Sequence, residues 1–168
     1  MRAGRIVILG IGCTLYSDQG FGVSIVQALE HAYRFPPEVL LADGGLIGIS
    51  LTGTIAQADH VIAVDAITFG GKPGDICRLE GTAILERLKV KNHVQQVDFL
   101  EALSHCQVLD HPPQAVLLGI QPQDNDTLAC ALTPLLQQRC DTMLARVLAE
   151  LDRLGVAYDK KEDFIPCV

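Results

Sequence analysis

The sequence predicts an α/β fold in which a mostly parallel β-sheet is covered by helices on both faces. Short, continuously apolar runs recur along the chain, and such runs are typical of strands buried on both faces of a sheet. Stretches with apolar residues at helical spacing alternate with these runs, which favours parallel strands joined by crossover helices. With 168 residues, 49% of them hydrophobic, the chain is predicted to form a single domain, residues 1–168, with a substantial core.

The first strand and the loop after it lie between Ile6 and Gly22. An unbroken apolar run, Ile6–Leu9, predicts a buried strand, and Gly10 and Gly12 then let the backbone turn tightly toward an amphipathic stretch. Ligands bind at such strand–loop–helix corners in open α/β sheets, although a purely structural turn explains the glycines equally well. The spacing excludes a dinucleotide fingerprint, because Leu15 replaces its third glycine, and no Gly-Lys-Ser/Thr run marks a P-loop.

The remaining elements follow in alternation. The first helix is predicted to begin near Val23 and to end at Pro36–Pro37, and the last helix shows the clearest signals, with Thr133 as N-cap, Pro134 at its first position and Gly155 after its end. The short strand predicted at 76–79 is expected at a sheet edge, where an antiparallel orientation is an option. After the first strand, the predicted strands are 39–42, 61–64, 76–79 and 115–120. After the first helix, the predicted helices cover 46–57, 93–103 and 133–154. Residues 81–92 give no clear signal, and a mobile polar tail is expected over 159–168.

Composition and charge exclude several classes of function. The net charge is −7, and no basic run is longer than Lys160–Lys161, so a nucleic-acid partner is not expected. No apolar run is long enough to span a membrane, and the N-terminus lacks a signal-peptide pattern, so we expect no membrane partner and a cytoplasmic location. The six cysteines show no metal-binding spacing, and most are expected to be reduced thiols acting as small apolar residues; Cys13 is the exception, because it lies in the glycine corner. Motifs of serine, thiol and zinc proteases are absent from the sequence.

Polar side chains follow each of the first three strands. If these strands run parallel, Asp18 or Gln19, Asp43 and Asp65 emerge at one edge of the sheet, and His93, at the start of a later helix, can reach the same edge. Unpaired carboxylates repel one another, so such a cluster holds a cation, shares a proton or is spread apart by solvent. Oxygen ligands with an imidazole suit a divalent ion such as nickel, zinc or manganese. The structural alternatives are a turn-forming aspartate at position 43 and a surface histidine at position 93.

An ordered set of motifs covers nearly the whole chain. It comprises GIGCTLYSDQGFGVSIVQAL at 10–29, LADGG at 41–45, VIAVDAI at 61–67, NHV at 92–94 followed by DFLEAL, LGIQP at 118–122 and LTP at 132–134. With these motifs the sequence resembles the maturation endopeptidases that process the large subunit of nickel-iron hydrogenases. The resemblance implies a three-layer, phosphorylase/hydrolase-like sandwich with a twisted, mostly parallel sheet of about five strands.

The resemblance also implies an activity and a partner. The family removes a C-terminal peptide from the nickel-iron hydrogenase large-subunit precursor after nickel insertion, so the expected nickel is carried by the substrate and serves as the recognition element. Another divalent metal is an option in the free protein. The competing hypothesis is a degenerate relative that binds the nickel-loaded large subunit as an assembly factor without cleaving it. A small α/β hydrolase of unknown substrate is a third, more generic hypothesis.

The family's metal ligands fall by position on Gln19, Asp65 and His93 of this chain. Two departures from the family pattern affect the first corner: Gln19 stands where the family usually has a glutamate or aspartate, and Cys13 stands where it usually has an asparagine. A glutamine offers a neutral carbonyl oxygen, so one negative charge is lost from the ligand set. Asp18 and Cys13 are the candidate substitutes for the missing ligand.

The motif at the end of the second strand supplies the remaining site residues. The resemblance associates Asp43, with Gly44 and Gly45, with recognition or cleavage of the substrate. Asp43 is a candidate general base for the attacking water, whereas the two glycines are candidates for contact with the substrate.

Overall fold

The computed structural model describes residues 4–44, 50–88 and 94–162 of the chain. The strands are β1 (Ile6–Gly10), β2 (Tyr33–Arg34), β3 (Val39–Asp43), β4 (His60–Ala66), β5 (Ile76–Glu80), β6 (Gln114–Ile120) and β7 (Asp159–Lys160). The helices are α1 (Phe21–Ala32), α2 (Ser50–Ala56), α3 (Thr82–Leu88), α4 (Val94–Cys106) and α5 (Pro134–Arg153), and a short 3-10 helix, Ser17–Gly20, precedes α1.

The main sheet has five strands in the order β3-β1-β4-β6-β5. Strands β3, β1, β4 and β6 are parallel, whereas β5 is antiparallel to β6 and forms one edge. The mostly parallel sheet and its antiparallel edge strand confirm the sequence prediction. Since the carboxyl ends of parallel strands share one edge of a sheet, the loops after β1, β3, β4 and β6 all open on that edge.

Two apolar layers cover the two faces of this sheet. Alternate residues of β1 point to opposite faces: Ile6 and Ile8 belong to a core layer with α1 and α5, and Val7 and Leu9 to a layer with α2, α3 and α4. All five residues of β1 are buried, as expected for a central strand covered on both sides. The arrangement is the predicted three-layer sandwich.

An ion-pair cluster ties the edge strand β5 to α5. Glu150 is only 5% exposed, and its carboxylate accepts hydrogen bonds from Arg78 at 2.7 and 3.0 Å and from Arg153 at 2.7 Å. The hydrogen bonds from Arg78 hold the pKa of Glu150 below its ordinary value. The cluster therefore holds α5 against the edge of the sheet.

The structure differs from the sequence predictions in three places. Helix α1 ends at Ala32, before the prolines, because Tyr33–Arg34 pairs with β7 in a separate two-stranded sheet. Residues 81–92, which gave no clear signal, contain α3. The predicted mobile tail, 159–168, begins with residues that are paired: Asp159–Lys160 forms β7, and the Lys161 N–H donates to the Ala32 carbonyl at 2.8 Å.

Residues 163–168 lie outside the described residues, so the mobility of the tail stays a prediction there, as does the single-domain assignment for 1–168. Among the described residues, no helix combines the length and the apolar character that crossing a bilayer demands.

Candidate active site

The carboxyl edge of the sheet brings two of the predicted site residues together around β1. Gly10, the last residue of β1, is level with Asp43 of β3 on one side and with Val64 of β4 on the other. Asp65 follows Val64 and is level with Gly119 of β6. The prediction that Asp43 and Asp65 share one edge of the sheet is therefore confirmed.

The two aspartates occupy different faces of that edge. Strands β3 and β4 flank β1, so their backbones lie about 10 Å apart, which is twice the spacing of neighbouring strands. By the alternation of side chains along a strand, Asp65 lies on the face covered by α2, α3 and α4, and Asp43 on the opposite face. Asp65 is buried, at 2% exposure, and Asp43 is half-buried. This separation fits one metal-ligand role and one distinct catalytic role better than two ligands of a single ion.

Glycines shape the first corner, between β1 and α1. Gly12 has a φ of +131°, a conformation that L side chains rarely adopt, and a Cβ at this position would collide with the carbonyl oxygen of Gln19. A Cβ at Gly22 would collide with the carbonyl oxygen of Val64, so the start of α1 packs directly against the end of β4. The glycine pattern therefore packs the start of α1 against the carboxyl end of β4, the strand that carries Asp65, and brings the 3-10 helix Ser17–Gly20 close to Gly12.

Asp18 is fully buried, and its hydrogen bonds connect the first corner to the segment after β6. Its Oδ2 accepts hydrogen bonds from the backbone N–H groups of Gln123 and Asp124, each at 2.9 Å, and from the Thr133 hydroxyl at 3.1 Å. Its Oδ1 accepts a hydrogen bond from the Thr133 N–H at 2.8 Å. Both carboxylate oxygens thus have protein donors, and this geometry favours a structural role for Asp18 over the role of substitute metal ligand.

Gln19 lies half-buried in the same corner. Its Nε2 donates a hydrogen bond to the carbonyl oxygen of Asn125 at 2.7 Å, which leaves the amide oxygen as the side chain's acceptor. A glutamate at this position has no donor for the Asn125 carbonyl. The glutamine therefore couples the corner to the loop after β6 through a contact that the acidic residue expected from the family pattern does not make.

Comparison with known proteins identifies the family. The profile of the hydrogenase maturation protease family matches residues 23–150. The chain belongs to this family. Its members are endopeptidases, hydrolases of peptide bonds, which confirms the predicted class of enzyme and favours it over a non-cleaving assembly factor.

Individual relatives cover nearly the whole chain. The hydrogenase 2 maturation protease of Escherichia coli K12 is 35% identical over 162 residues, which are 94% of this chain and 97% of that protein. The hydrogenase expression/formation protein HupD of Thiocapsa roseopersicina is 34% identical over 95% of this chain and 73% of its own. The solved structure of the hydrogenase maturating endopeptidase HybD from E. coli superposes with a TM-score of 0.89, at 32% identity, over 95% of this chain and 99% of that chain.

The ligand set predicted for this maturation protease is described in part. His93 and Gly45 lie outside the described residues, and the described part of α4 begins at Val94, the residue after His93. Within the described ranges, no group of three or more His, Cys, Asp or Glu side chains is placed to hold a metal ion. Cys13 is a free, half-buried thiol in the first corner. The metal roles of Gln19, Asp65, His93 and Cys13 stay predictions.

The sequence patterns mark both ends of the segment 121–133 but do not indicate that it packs against the first corner. Gln121 is buried, and its Oε1 accepts a hydrogen bond from the Phe69 N–H at 2.9 Å. The Oδ1 of Asn125 is buried without a hydrogen-bond partner in the described part of the chain, next to the carbonyl that holds Gln19. The predicted N-cap Thr133 is confirmed, but nothing in the local pattern indicates that it also binds Asp18.

Proposed function

We propose that this protein removes the C-terminal peptide of a nickel-iron hydrogenase large-subunit precursor after nickel has been inserted. The observation that carries the proposal is that Asp43 and Asp65 lie at the same edge of the sheet, on either side of the end of β1, in a chain of the hydrogenase maturation protease family. The relatives named as maturation proteases of hydrogenases support the choice of substrate. The nickel ion belongs to the substrate in this proposal and is its recognition element.

Different residues serve recognition and cleavage in this proposal. Asp65, His93 and the amide oxygen of Gln19 engage the substrate's nickel, since oxygen ligands and an imidazole suit that ion. The burial of Asp65 supports this role, because an ion inside the cleft interacts with a buried carboxylate more strongly than with a solvated one. If the free protein takes up another divalent metal, the same three residues are the expected ligands.

Asp43 acts as the general base that activates the attacking water, and Gly44 and Gly45 lie along the substrate. A Cβ on Gly44 would approach the Gly10 carbonyl oxygen to 2.9 Å, so a larger residue there would push β3 away from the end of β1. The half-buried position of Asp43, on the face opposite Asp65, supports a base that is separate from the nickel ligands. The cytoplasm is the expected location of the reaction, and cell fractionation tests it.

The test is incubation of the protein with nickel-loaded and nickel-free large-subunit precursor, followed by intact-mass analysis. We expect a mass loss equal to one C-terminal peptide with the nickel-loaded precursor and no loss with the nickel-free form. The Asp43→Asn variant is expected to bind the loaded precursor and to leave it uncut. Equal cleavage of the two precursors would refute nickel recognition, and no cleavage of either would refute the proposed substrate.

A further inference from the structure

Three large apolar side chains are exposed beside the first corner. Leu15 is 54% exposed, Tyr16 41% and Leu128 73%. They come from two segments in direct contact, because the Ala129 N–H donates to the Leu15 carbonyl at 3.0 Å and the Ser17 N–H donates to the Ala129 carbonyl at 2.7 Å. This short parallel bridge pairs Tyr16 with Ala129 and so sets Leu15 level with Leu128, on the same side of the bridge. Tyr16, between Leu15 and Ser17, lies on the other side of the bridge, so we call the side chains of Leu15 and Leu128 the corner patch.

Hydrogen bonds hold the loop that carries Leu128. The Asp18 N–H donates to the Asp124 carbonyl at 3.0 Å, in addition to the contacts of the Asp18 carboxylate. The Oδ1 of Asp124 accepts hydrogen bonds from the N–H groups of Asp126 and Thr127, each at 3.0 Å. Hydrogen bonding from Thr127, with help from the Asp126 N–H, lowers the pKa of Asp124, because these donors favour its charged form. The corner patch therefore belongs to a preorganised surface.

The patch adjoins the proposed nickel ligands. The Gln19 N–H donates to the Tyr16 carbonyl at 3.0 Å, so the patch and the predicted ligand share one turn of backbone. Elsewhere on the described surface, Leu40 of β3 is 52% exposed, and Val108 and Leu109 are exposed in the turn between α4 and β6, at the opposite edge of the sheet. Within the described residues, the patch is thus the exposed apolar cluster that borders the candidate site.

We propose that the corner patch is the docking surface for the folded body of the large-subunit precursor around its nickel. This inference rests on the proposed function. An ion held inside a folded substrate meets Gln19 and Asp65 only if the surfaces around the two sites come into contact, and burial of the patch stabilises that contact. Asp124 and Asp126 border the patch, and the whole chain has a net charge of −7. The matching surface is therefore apolar at its centre with lysine or arginine at its border.

The test compares the double variant Leu15→Ser/Leu128→Ser with wild type in steady-state cleavage of nickel-loaded precursor. Both side chains are exposed, so the variant is expected to fold, as checked by its melting temperature. We expect KM to rise about tenfold, the effect of losing one strong interface contact, while kcat changes less than about twofold. The matched control is Val108→Ser, which removes an 87% exposed apolar side chain from the opposite edge and should leave both constants at wild-type values.

The outcomes separate this inference from the proposed function. If wild type cleaves the precursor and the double variant keeps the wild-type KM, the docking inference is wrong and the proposed function stands. A fall in kcat without a change in KM also overturns it, because the patch would then act through the geometry of the corner. If wild type neither binds the precursor on a biosensor nor cleaves it, both proposals fail.

Discussion

The buried carboxylate of Asp18 offers a stringent test of how the site is assembled. Substitution by alanine removes the acceptor for the backbone N–H groups of Gln123, Asp124 and Thr133 and for the Thr133 hydroxyl. A buried donor left without a partner costs about 1–3 kcal/mol, and water can reach the exposed part of this loop to replace some of the lost bonds. We therefore expect Asp18→Ala to lower the free energy of unfolding by about 3–5 kcal/mol.

Urea denaturation followed by circular dichroism measures this loss. The matched control is Asp126→Ala, an exposed aspartate in the same loop, which should change the free energy of unfolding by less than about 0.5 kcal/mol. Amide hydrogen exchange should also become faster at Gln123, Asp124 and Thr133 in the folded Asp18→Ala protein. A loss below about 1 kcal/mol with unchanged exchange would refute the structural role of Asp18.

Three further changes test other parts of the account. Gln19→Glu should tighten Ni²⁺ binding by about tenfold in calorimetry, because a charged ligand replaces a neutral one. It should also lower the melting temperature, because the hydrogen bond to the Asn125 carbonyl is lost. Unchanged nickel affinity would remove Gln19 from the ligand set. Gly12→Ala should cost about 1–3 kcal/mol of stability in urea unfolding, since its φ of +131° strains any L side chain, and a neutral effect would contradict the tight corner. The lowered pKa of Glu150 stabilises the fold above about pH 4.5, and this contribution is lost as the pH falls through the pKa of the folded protein. The difference in free energy of unfolding between wild type and Glu150→Gln should therefore shrink from about pH 7 to about pH 3. A difference that does not change with pH would exclude this contribution of Glu150.

Local patterns in the sequence were sufficient to predict most of the fold. The apolar run at Ile6–Leu9 is buried from both sides, and Thr133 and Pro134 begin a helix that ends before Gly155, which has a φ of +71°. These signals lie within a few residues of one another, so they can be identified without the tertiary structure. The pairing of Tyr33–Arg34 with β7 depends on residues more than a hundred positions away, and the periodic stretch before it predicted a longer helix instead.

The candidate site, like the fold, was predictable from the sequence only in part. Asp43 and Asp65 were predicted on one edge because each follows an apolar run in a parallel sheet, and the register confirms it. The environment of Asp18 was beyond prediction, since its donors come from residues 105 to 115 positions later in the chain. For the same reason, the sequence around Gln19 and the sequence around Asn125 do not indicate the contact between these residues. Acidic residue types indicate where a site lies, but tertiary hydrogen bonds decide which of them are available to a ligand.

The most direct test of the central claim is the rate at which the Asp65→Asn variant cleaves nickel-loaded large-subunit precursor. Asparagine has nearly the same volume as aspartate, so the buried position should remain packed while the charged ligand is lost. We predict that the variant keeps a cooperative unfolding transition and that its cleavage rate falls by at least about 100-fold, the loss expected when an essential charged contact is removed. A folded Asp65→Asn protein that cleaves the precursor within about twofold of the wild-type rate would contradict nickel-guided cleavage at this edge of the sheet.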